Sequence, residues 1–456
     1  MKFTISSKVK CEGLPKEAIK QIREKLTITN PKFAKKMQMG LSKWGVDQHL
    51  RYYDNIGHTG IEIPVGAFND VLHLLIEEFD LEITEDHIID NRVTNSDKKF
   101  FKNHEFQGEL RDYQKPIQEA CLNNTIGTIQ AATGSGKSVA IVSLIMEQKQ
   151  NTMILVHTKE LASQMKENLI EFGGLKEKEI GFIGSGEFDV KPVTVALLQT
   201  VRSLKGKELE KVQSYFGQII TDETHIIAAK TYYKALGRIP AKYKFGLSGT
   251  VSREDGLTRV IHWANGQMIY QVPDEALEGF LIKPSYEQVD TEYYFPLFDT
   301  SEYQIVITDM AENDERNDLI YDTFLKEGKD KPSVFLCTRL SQVDALKERI
   351  GDDAIALTSK LKKSERKENM EKLINGDALH AISTWGLFST GVNIPRLTRL
   401  YMAGPMGSKT KLKQAAGRLM RTSKGKSEAK IVDFVDRKVW LLHNQSKKRK
   451  KILTNL

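Results

Sequence analysis

The sequence predicts an α/β protein, with two parallel-sheet units in tandem behind a small α+β module. Three observations predict it. From Leu110 onward, short apolar runs alternate with amphipathic helical stretches, the pattern of βα units feeding a parallel sheet. The alternation occurs twice, over about 109–275 and 320–440. Before residue 90 the rhythm differs, with turn residues crowding short strand-like pieces. The length of 456 residues, at roughly 150 per domain, agrees with three parts.

The leading module spans about 1–90. Asn30-Pro31, Gly40, Gly45, Gly57 and Gly60 punctuate it, and His49–Tyr53 and Ile61–Ile63 read as strands between them. After Pro64, Phe68, Val71, Leu72, Leu75 and Phe79 recur at helical spacing and form one face. Residues 91–108 are polar and aperiodic, which predicts a linker. In the first α/β unit, strands are expected at Thr128–Gln130, Met153–His157, Val193–Leu198, Gln218–Asp222 and Phe245–Leu247, with helices at Lys137–Gln148 and Glu160–Phe172. In the second, strands are expected at Val334–Cys337, Ile355–Leu357, Ala381–Thr384, Arg399–Met402 and Lys430–Phe434, with helices over 341–350, 363–374 and 409–421. Residues 276–319 bridge the two units. Their aromatic run Tyr293-Tyr294-Phe295 reads either as a separating wedge or as core. Residues 441–456 form a basic tail, with Lys447–Lys451 expected to be mobile and to attract phosphate.

Composition removes several classes. Lys plus Arg number 67 and Asp plus Glu 60, a net charge of +7, with 40% hydrophobic and 28% charged residues. That supports domains with real cores and permits a nucleic-acid partner without demanding one. There is no apolar stretch of about 18 residues, so no membrane span is expected. The N-terminal residues carry no apolar core of a secretory signal. Cys11, Cys121 and Cys337 are few, odd in number and far apart, which fits neither a disulfide framework nor zinc. The cytoplasm is the expected compartment.

Ala131-Ala132-Thr133-Gly134-Ser135-Gly136-Lys137-Ser138 follows a predicted strand and opens a predicted helix. Small residues there let backbone N–H groups close around phosphate oxygens, and the helix N-terminus adds its positive end. Lys137 would hold the β- and γ-phosphates of ATP, and the Ser138 hydroxyl would ligate Mg²⁺. Ile219–Asp222 ends an apolar strand, and Glu223 follows. At the carboxyl end of such a strand Asp222 would hold the metal, directly or through water, and Glu223 would deprotonate the attacking water. Phosphoryl transfer also needs a cation on the developing γ-phosphate charge. Gln414, Arg418 and Arg421, at i, i+4 and i+7, are expected on one helical face to complete the site.

These motifs, in this order, resemble the superfamily 2 helicases and translocases of the DExH type from about 109 to 440. The resemblance implies two RecA-like motor domains. It makes Leu110-Arg111-Asp112-Tyr113-Gln114 the adenine-reading segment, with Gln114 on the base. It makes Asp222-Glu223-Thr224-His225 motif II, Gly246–Thr250 motif III and Ser383–Asn393 motif V. Motif V carries Asn393 where many relatives have Asp, which removes a charge from a ribose contact. Thr158, Gln199, Thr200, Thr338 and Ser389 would bond the phosphates of a DNA strand. Motif V, motif III and the leading module resemble phage members that remodel branched DNA, forks and four-way junctions. That implies a place in replication, recombination and repair. A duplex translocase that opens no strands, and an RNA helicase, share the motif set. In the leading module, Lys32, Lys35, Lys36, Lys43 and Arg51 surround Trp44, Tyr52 and Tyr53, which suits either strand stacking or a small aromatic core.

Overall fold

The computed structural model describes residues 1–38, 40, 42–224, 229–249, 256–296, 299–391 and 394–455. The side chains of 229–232, 300, 363 and 389–391 are outside that description. His225, Thr250 and Asn393 of the expected motifs lie outside the described residues. The chain divides into two compact units, Met1–Ala131 with Gly136–Val272, and Ala132–Ser135 with Pro273–Leu456.

The first unit holds the leading module and the first α/β sheet. The module's sheet runs in the order Asp54–Ile56, Gly60–Pro64, Lys8–Glu12, Lys2–Ile5, Ile88–Asp90. Phe3, Ile5, Val9 and Cys11 alternate inward along the first two strands, as a half-buried sheet requires. The helix expected after Pro64 spans Phe68–Glu77 and buries Phe68, Val71, Leu74 and Leu75.

That core does not close by itself. Leu257, Val260 and Trp263, the last two from the helix Thr258–Asn265, belong to the same apolar cluster. Gly66 makes the junction possible. A Cβ there would lie 2.0 Å from the His262 carbonyl oxygen and 2.8 Å from the Gly266 nitrogen. Gly66→Ala is therefore expected to destabilise this unit by about 1–3 kcal/mol, read as a lower unfolding midpoint in chemical denaturation. Residues 91–108 are likewise tied down. Val93 bridges Ala241, and Lys98–Lys102 is a short helix capped by Asp97 with Phe101 buried.

The α/β sheet of this unit has the order Glu187–Asp189, Ile180–Gly184, Val193–Leu197, Thr152–Val156, Gln218–Asp222, Tyr243–Ser248, Ile126–Gln130, Met268–Gln271. All neighbours are parallel except the hairpin Ile180–Asp189. The parallel strands between edge elements are buried along nearly their whole length, which explains their continuous apolar reading.

The second unit's sheet has the order Ser285–Asp290, Lys430–Val435, Arg399–Met402, Ser333–Cys337, His380–Thr384, Ala354–Leu357, all parallel. Three expectations meet the structure here, and the first two change. Ser285–Asp290 lies in the bridging segment but is an edge strand, paired in register with Lys430–Val435. The basic C-terminal run is no loose tail. Trp440–Leu453 is a helix, and Arg449 is buried with its guanidinium 2.9 Å from Asp433. Tyr286 donates to the same carboxylate at 2.6 Å. An unpaired buried Asp433 would be costly, so it recruits one cation out of the run. Third, Tyr293 is core and donates to Asp309 at 2.7 Å, whereas Tyr294 is exposed.

Candidate nucleotide site and nucleic-acid track

Strand register builds the candidate nucleotide site. Asp222 pairs with Leu247, and the next residue of that strand, Ser248, pairs with Gln130. The phosphate loop and the Asp222-Glu223 pair therefore leave the sheet at the same edge, its carboxyl end. Ala131 N–H donates to the Ser248 carbonyl at 2.9 Å, which fixes where the loop begins. Gly134 and Gly136 sit at φ +92° and +74°, conformations that glycine adopts without strain. At Gly136 a Cβ would also come within 2.5 Å of Gln114 Nε2. Helix Lys137–Gln148 starts there as the sequence predicts, with Ser138 in its first turn.

Lys137 is 7% exposed. Its Nζ donates to the Ala131 carbonyl at 3.2 Å and lies 3.5 Å from Glu223 Oε1. Asp222 is buried, and its Oδ1 accepts the Glu223 N–H at 2.9 Å. Burial, and then the Glu223 charge, push the Asp222 carboxyl up to about 7, with Lys137 opposing. Glu223 itself has φ +53°. A non-glycine residue in that region costs about 1 kcal/mol or more, which the parallel strand and the Lys137 pair hold in place. Gln114 joins the cluster, accepting from Arg111 N–H at 3.0 Å and donating to the Gly136 carbonyl at 3.1 Å. Motif III follows from packing: a Cβ on Gly246 would meet Thr224 Cγ2 at 2.8 Å and Asn265 Nδ2 at 2.6 Å.

The loop's glycine geometry and the helix N-terminus behind it fit a polyphosphate. Ser138 and Asp222 offer a hydroxyl and a carboxylate, the hard oxygens Mg²⁺ takes while keeping several waters. The residues therefore fit both groups.

In the second unit, helix Lys409–Leu419 carries Gln414, which is buried, and Arg418, whose guanidinium lies 5.5 Å from the Phe388 ring. Arg421 departs from the expected shared face. The helix ends at Leu419, and Arg421 forms an antiparallel bridge with Leu281. Lys426 reaches the helix end. Its half-buried ammonium donates to the carbonyls of Leu419, Arg421 (2.8 Å) and Pro395 (3.3 Å), satisfying the helix C-terminus.

The expected phosphate contacts divide. Gln199 and Thr200 lie on helix Leu198–Ser203, with Gln199 exposed. Thr158 caps helix Lys159–Gly173, accepting from Leu161 N–H at 3.2 Å. Thr338 follows strand Ser333–Cys337. It is half-buried, and its Oγ1 lies beside the Gly404 backbone with no hydrogen-bond partner among the described residues. Ser389 falls on helix Trp385–Gly391, but its side chain is outside the described residues. His157, expected to end a strand, lies just beyond strand Thr152–Val156. Among the described residues neither ring nitrogen has a hydrogen-bond partner, and the ring lies within reach of the Glu223 charge.

Two parallel-sheet α/β units, the first opening on a phosphate loop, define the class of RecA-like nucleotide-driven motors. The chain belongs to the superfamily 2 helicases. Residues 107–253 match the family model "Type III restriction enzyme, res subunit", and 315–423 match "Helicase conserved C-terminal domain". Among curated relatives, the chain is 24% identical over 364 residues to a putative ATP-dependent RNA helicase L396 of Acanthamoeba polyphaga mimivirus, covering 75% of this chain and 67% of that one. It is 25% identical over 328 residues to the probable helicase D10 of Escherichia phage T5, covering 71% and 70%. It is 24% identical over 371 residues to the DNA 3′-5′ translocase XPB2 of Sulfurisphaera tokodaii, covering 72% and 81%. Among solved structures, S. cerevisiae Dbp5 bound to RNA and ADP BeF3 covers 76% of this chain and 88% of its own, at 15% identity and TM-score 0.57. That likeness bears on the fold. The structure of T4 UvsW covers 100% and 97%, at 18% identity and TM-score 0.43. Among the described residues no helix is long and apolar enough to cross a membrane.

Proposed function

We propose that the chain is an ATP- and Mg²⁺-dependent DNA motor that unwinds and remodels branched DNA. It would reverse forks and migrate four-way junctions in replication, recombination and repair. The observation that carries the motor reading is the Lys137–Glu223 approach of 3.5 Å beside the buried Asp222. It joins a phosphate-binding cation, a general base and a metal ligand at one sheet edge. The branched-DNA reading rests on sequence resemblance to UvsW in Trp385–Gly391, in Gly246–Gly249 and in the leading module. The place of work is the cytoplasm, that of an infected bacterium if the gene is a phage's.

In this reading Gln114 contacts the base, Thr133–Gly136 cradle the phosphates, and Lys137 pairs with the β- and γ-oxygens. Ser138 and Asp222 would hold Mg²⁺, which would supply positive charge for phosphoryl transfer. Glu223 takes a proton from the water that attacks the γ-phosphorus. Gln414, Arg418 and Arg421 supply the late positive charge. Gln199, Thr200 and Thr158 bond strand phosphates without reading sequence. Glu223→Gln keeps the shape but removes the base. ATP binding is expected to persist while steady-state hydrolysis falls by about 10²–10⁴-fold.

The test is a substrate panel of forks, four-way junctions, and 3′- and 5′-tailed duplexes of DNA and of RNA. Failure to hydrolyse ATP ends the enzyme reading. Opening of tailed RNA duplexes alone ends the DNA reading. The restriction-subunit match over 107–253 favours one second reading, a duplex translocase without strand separation. Triplex displacement with no unwinding would select it.

A further inference from the structure

The leading module carries an insert that its own folding does not explain. Strands Thr27–Thr29 and His49–Arg51 pair antiparallel, and residues 30–48 run out from them and back. Buried Asn30 closes the neck. Its N–H donates to the Gln48 carbonyl at 2.9 Å and its Nδ2 to the Asp47 carbonyl at 2.8 Å, while its Oδ1 accepts from Lys32 N–H at 3.0 Å. Beyond the neck, helix Pro31–Gln38 buries none of its residues. So short a helix is marginal in water without a buried face, and no core contact accounts for its side chains.

Its charge is one-sided. Lys32, Lys35 and Lys36 stand at i, i+3 and i+4 and share one helical face. Lys43 follows on the loop, and its ammonium lies 5.5 Å from the centre of the Phe33 ring, which brings the loop against the helix. Over 30–48 these four lysines face one acid, Asp47. Among the described residues none of the four has a carboxylate partner. Like charges at that spacing destabilise a helix, and a bound polyanion would relieve them. The residue after Lys43 is Trp44, which is 91% exposed. Of the rings expected among these lysines, Tyr52 is buried in the module's core, whereas Trp44 stays outside it. A tryptophan left in water forgoes one of the largest apolar burials a side chain offers.

We propose that this insert grips a DNA strand at an exposed base. Lys32, Lys35, Lys36 and Lys43 bond the phosphates, and Trp44 stacks on the base. Charge decides the occupant: a cluster of lysines suits a polyanion, and an accessible ring takes the face of any base. A protein partner fits less well, because lysine is depleted at protein interfaces. The proposal rests on the DNA-motor reading above. A branch point offers an exposed base, and a continuous duplex does not. The leading module is then a second grip point, held to the first α/β sheet by the close approach at Gly66.

The probe is a fluorescent DNA fork, set against a hairpin-capped duplex of equal length and titrated by anisotropy at several salt concentrations. Trp44→Ala is expected to weaken fork binding about 10-fold and capped-duplex binding less than about twofold, with the salt slope unchanged. Trp44→Phe should restore most of the loss. Lys32→Ala/Lys35→Ala/Lys36→Ala is expected to weaken both substrates and to flatten the slope of log affinity against log salt by about 2–3. Both variants should keep the wild-type unfolding midpoint, since the helix buries nothing and Trp44 is exposed. Unchanged fork binding in Trp44→Ala, or an equal loss on both substrates, would overturn the stacking. An unchanged slope in the lysine variant would overturn the grip. Either result leaves the motor reading standing. A wild-type chain that hydrolyses no ATP, yet shows these losses on substitution, would overturn the motor reading and keep the insert.

Discussion

Lys137→Ala is expected to reduce ATP turnover about 10³-fold or more while DNA affinity stays within about threefold of wild type. The Lys137 side chain is buried against two acceptors, the Ala131 carbonyl at 3.2 Å and Glu223 at 3.5 Å. With ATP bound, its charge would turn to the β- and γ-oxygens, where no other lysine in the loop can substitute. Its loss also leaves Glu223 in a left-handed backbone, beside a buried Asp222, without its cation. A buried carboxylate that loses its partner protonates or reorients, so the general base is damaged along with the phosphate grip. Two functions thus fall with one side chain. DNA affinity should survive, because Gln199 and Thr200 lie on another element, helix Leu198–Ser203. The check pairs steady-state hydrolysis with anisotropy on the same preparation. Turnover within tenfold of wild type would sink the site assignment.

What could be read from sequence follows from how local each signal is. Strand Gln218–Asp222 and helix Lys137–Gln148 fall where expected, because a fully buried parallel strand and a strand-loop-helix phosphate motif are written in consecutive residues. The edges were harder. Ser285–Asp290 reads SYEQVD and buries none of its residues, so its polarity gives no strand signal although it completes a sheet. Phe3, Ile5, Val9 and Cys11 do alternate legibly, but two short strands at a chain start compete with a turn-rich reading. Arg449 illustrates the non-local limit. Inside a five-residue basic run nothing separates it from its neighbours, and only Asp433, 16 residues away, decides that this one cation is buried. The same holds for the site. Lys137, Asp222 and Glu223 were visible as motifs, whereas the His157 ring and the Lys426 cap depend on what packs around them.

Arg418→Ala and Arg421→Ala are each expected to lower kcat for ATP about 10³-fold with little change in KM, as loss of a cation needed only in the transition state predicts. The two should differ in how they tolerate neighbouring changes. Arg418 lies within the helix, its guanidinium 5.5 Å from the Phe388 ring. Phe388→Leu should therefore lower kcat by roughly the loss of one cation–π contact, about 0.5–2 kcal/mol, and should not worsen Arg418→Ala further. Arg421 lies beyond the helix end, where its carbonyl is gripped by Lys426 at 2.8 Å and its backbone pairs with Leu281. Lys426→Met removes that grip and takes a donor from the Leu419 carbonyl at the helix end, at about 1–3 kcal/mol. It should depress kcat through Arg421 and be nearly silent once Arg421 is alanine. Arg418→Lys should not rescue, because an ammonium lacks the planar fork that spans two phosphate oxygens. Double-mutant cycles on kcat measure these couplings. Additive effects of Lys426→Met and Arg421→Ala would mean that the cap stabilises the fold without positioning the cation. Unchanged kcat in both arginine variants would remove the second α/β unit from the chemistry and leave ATP hydrolysis to the first alone.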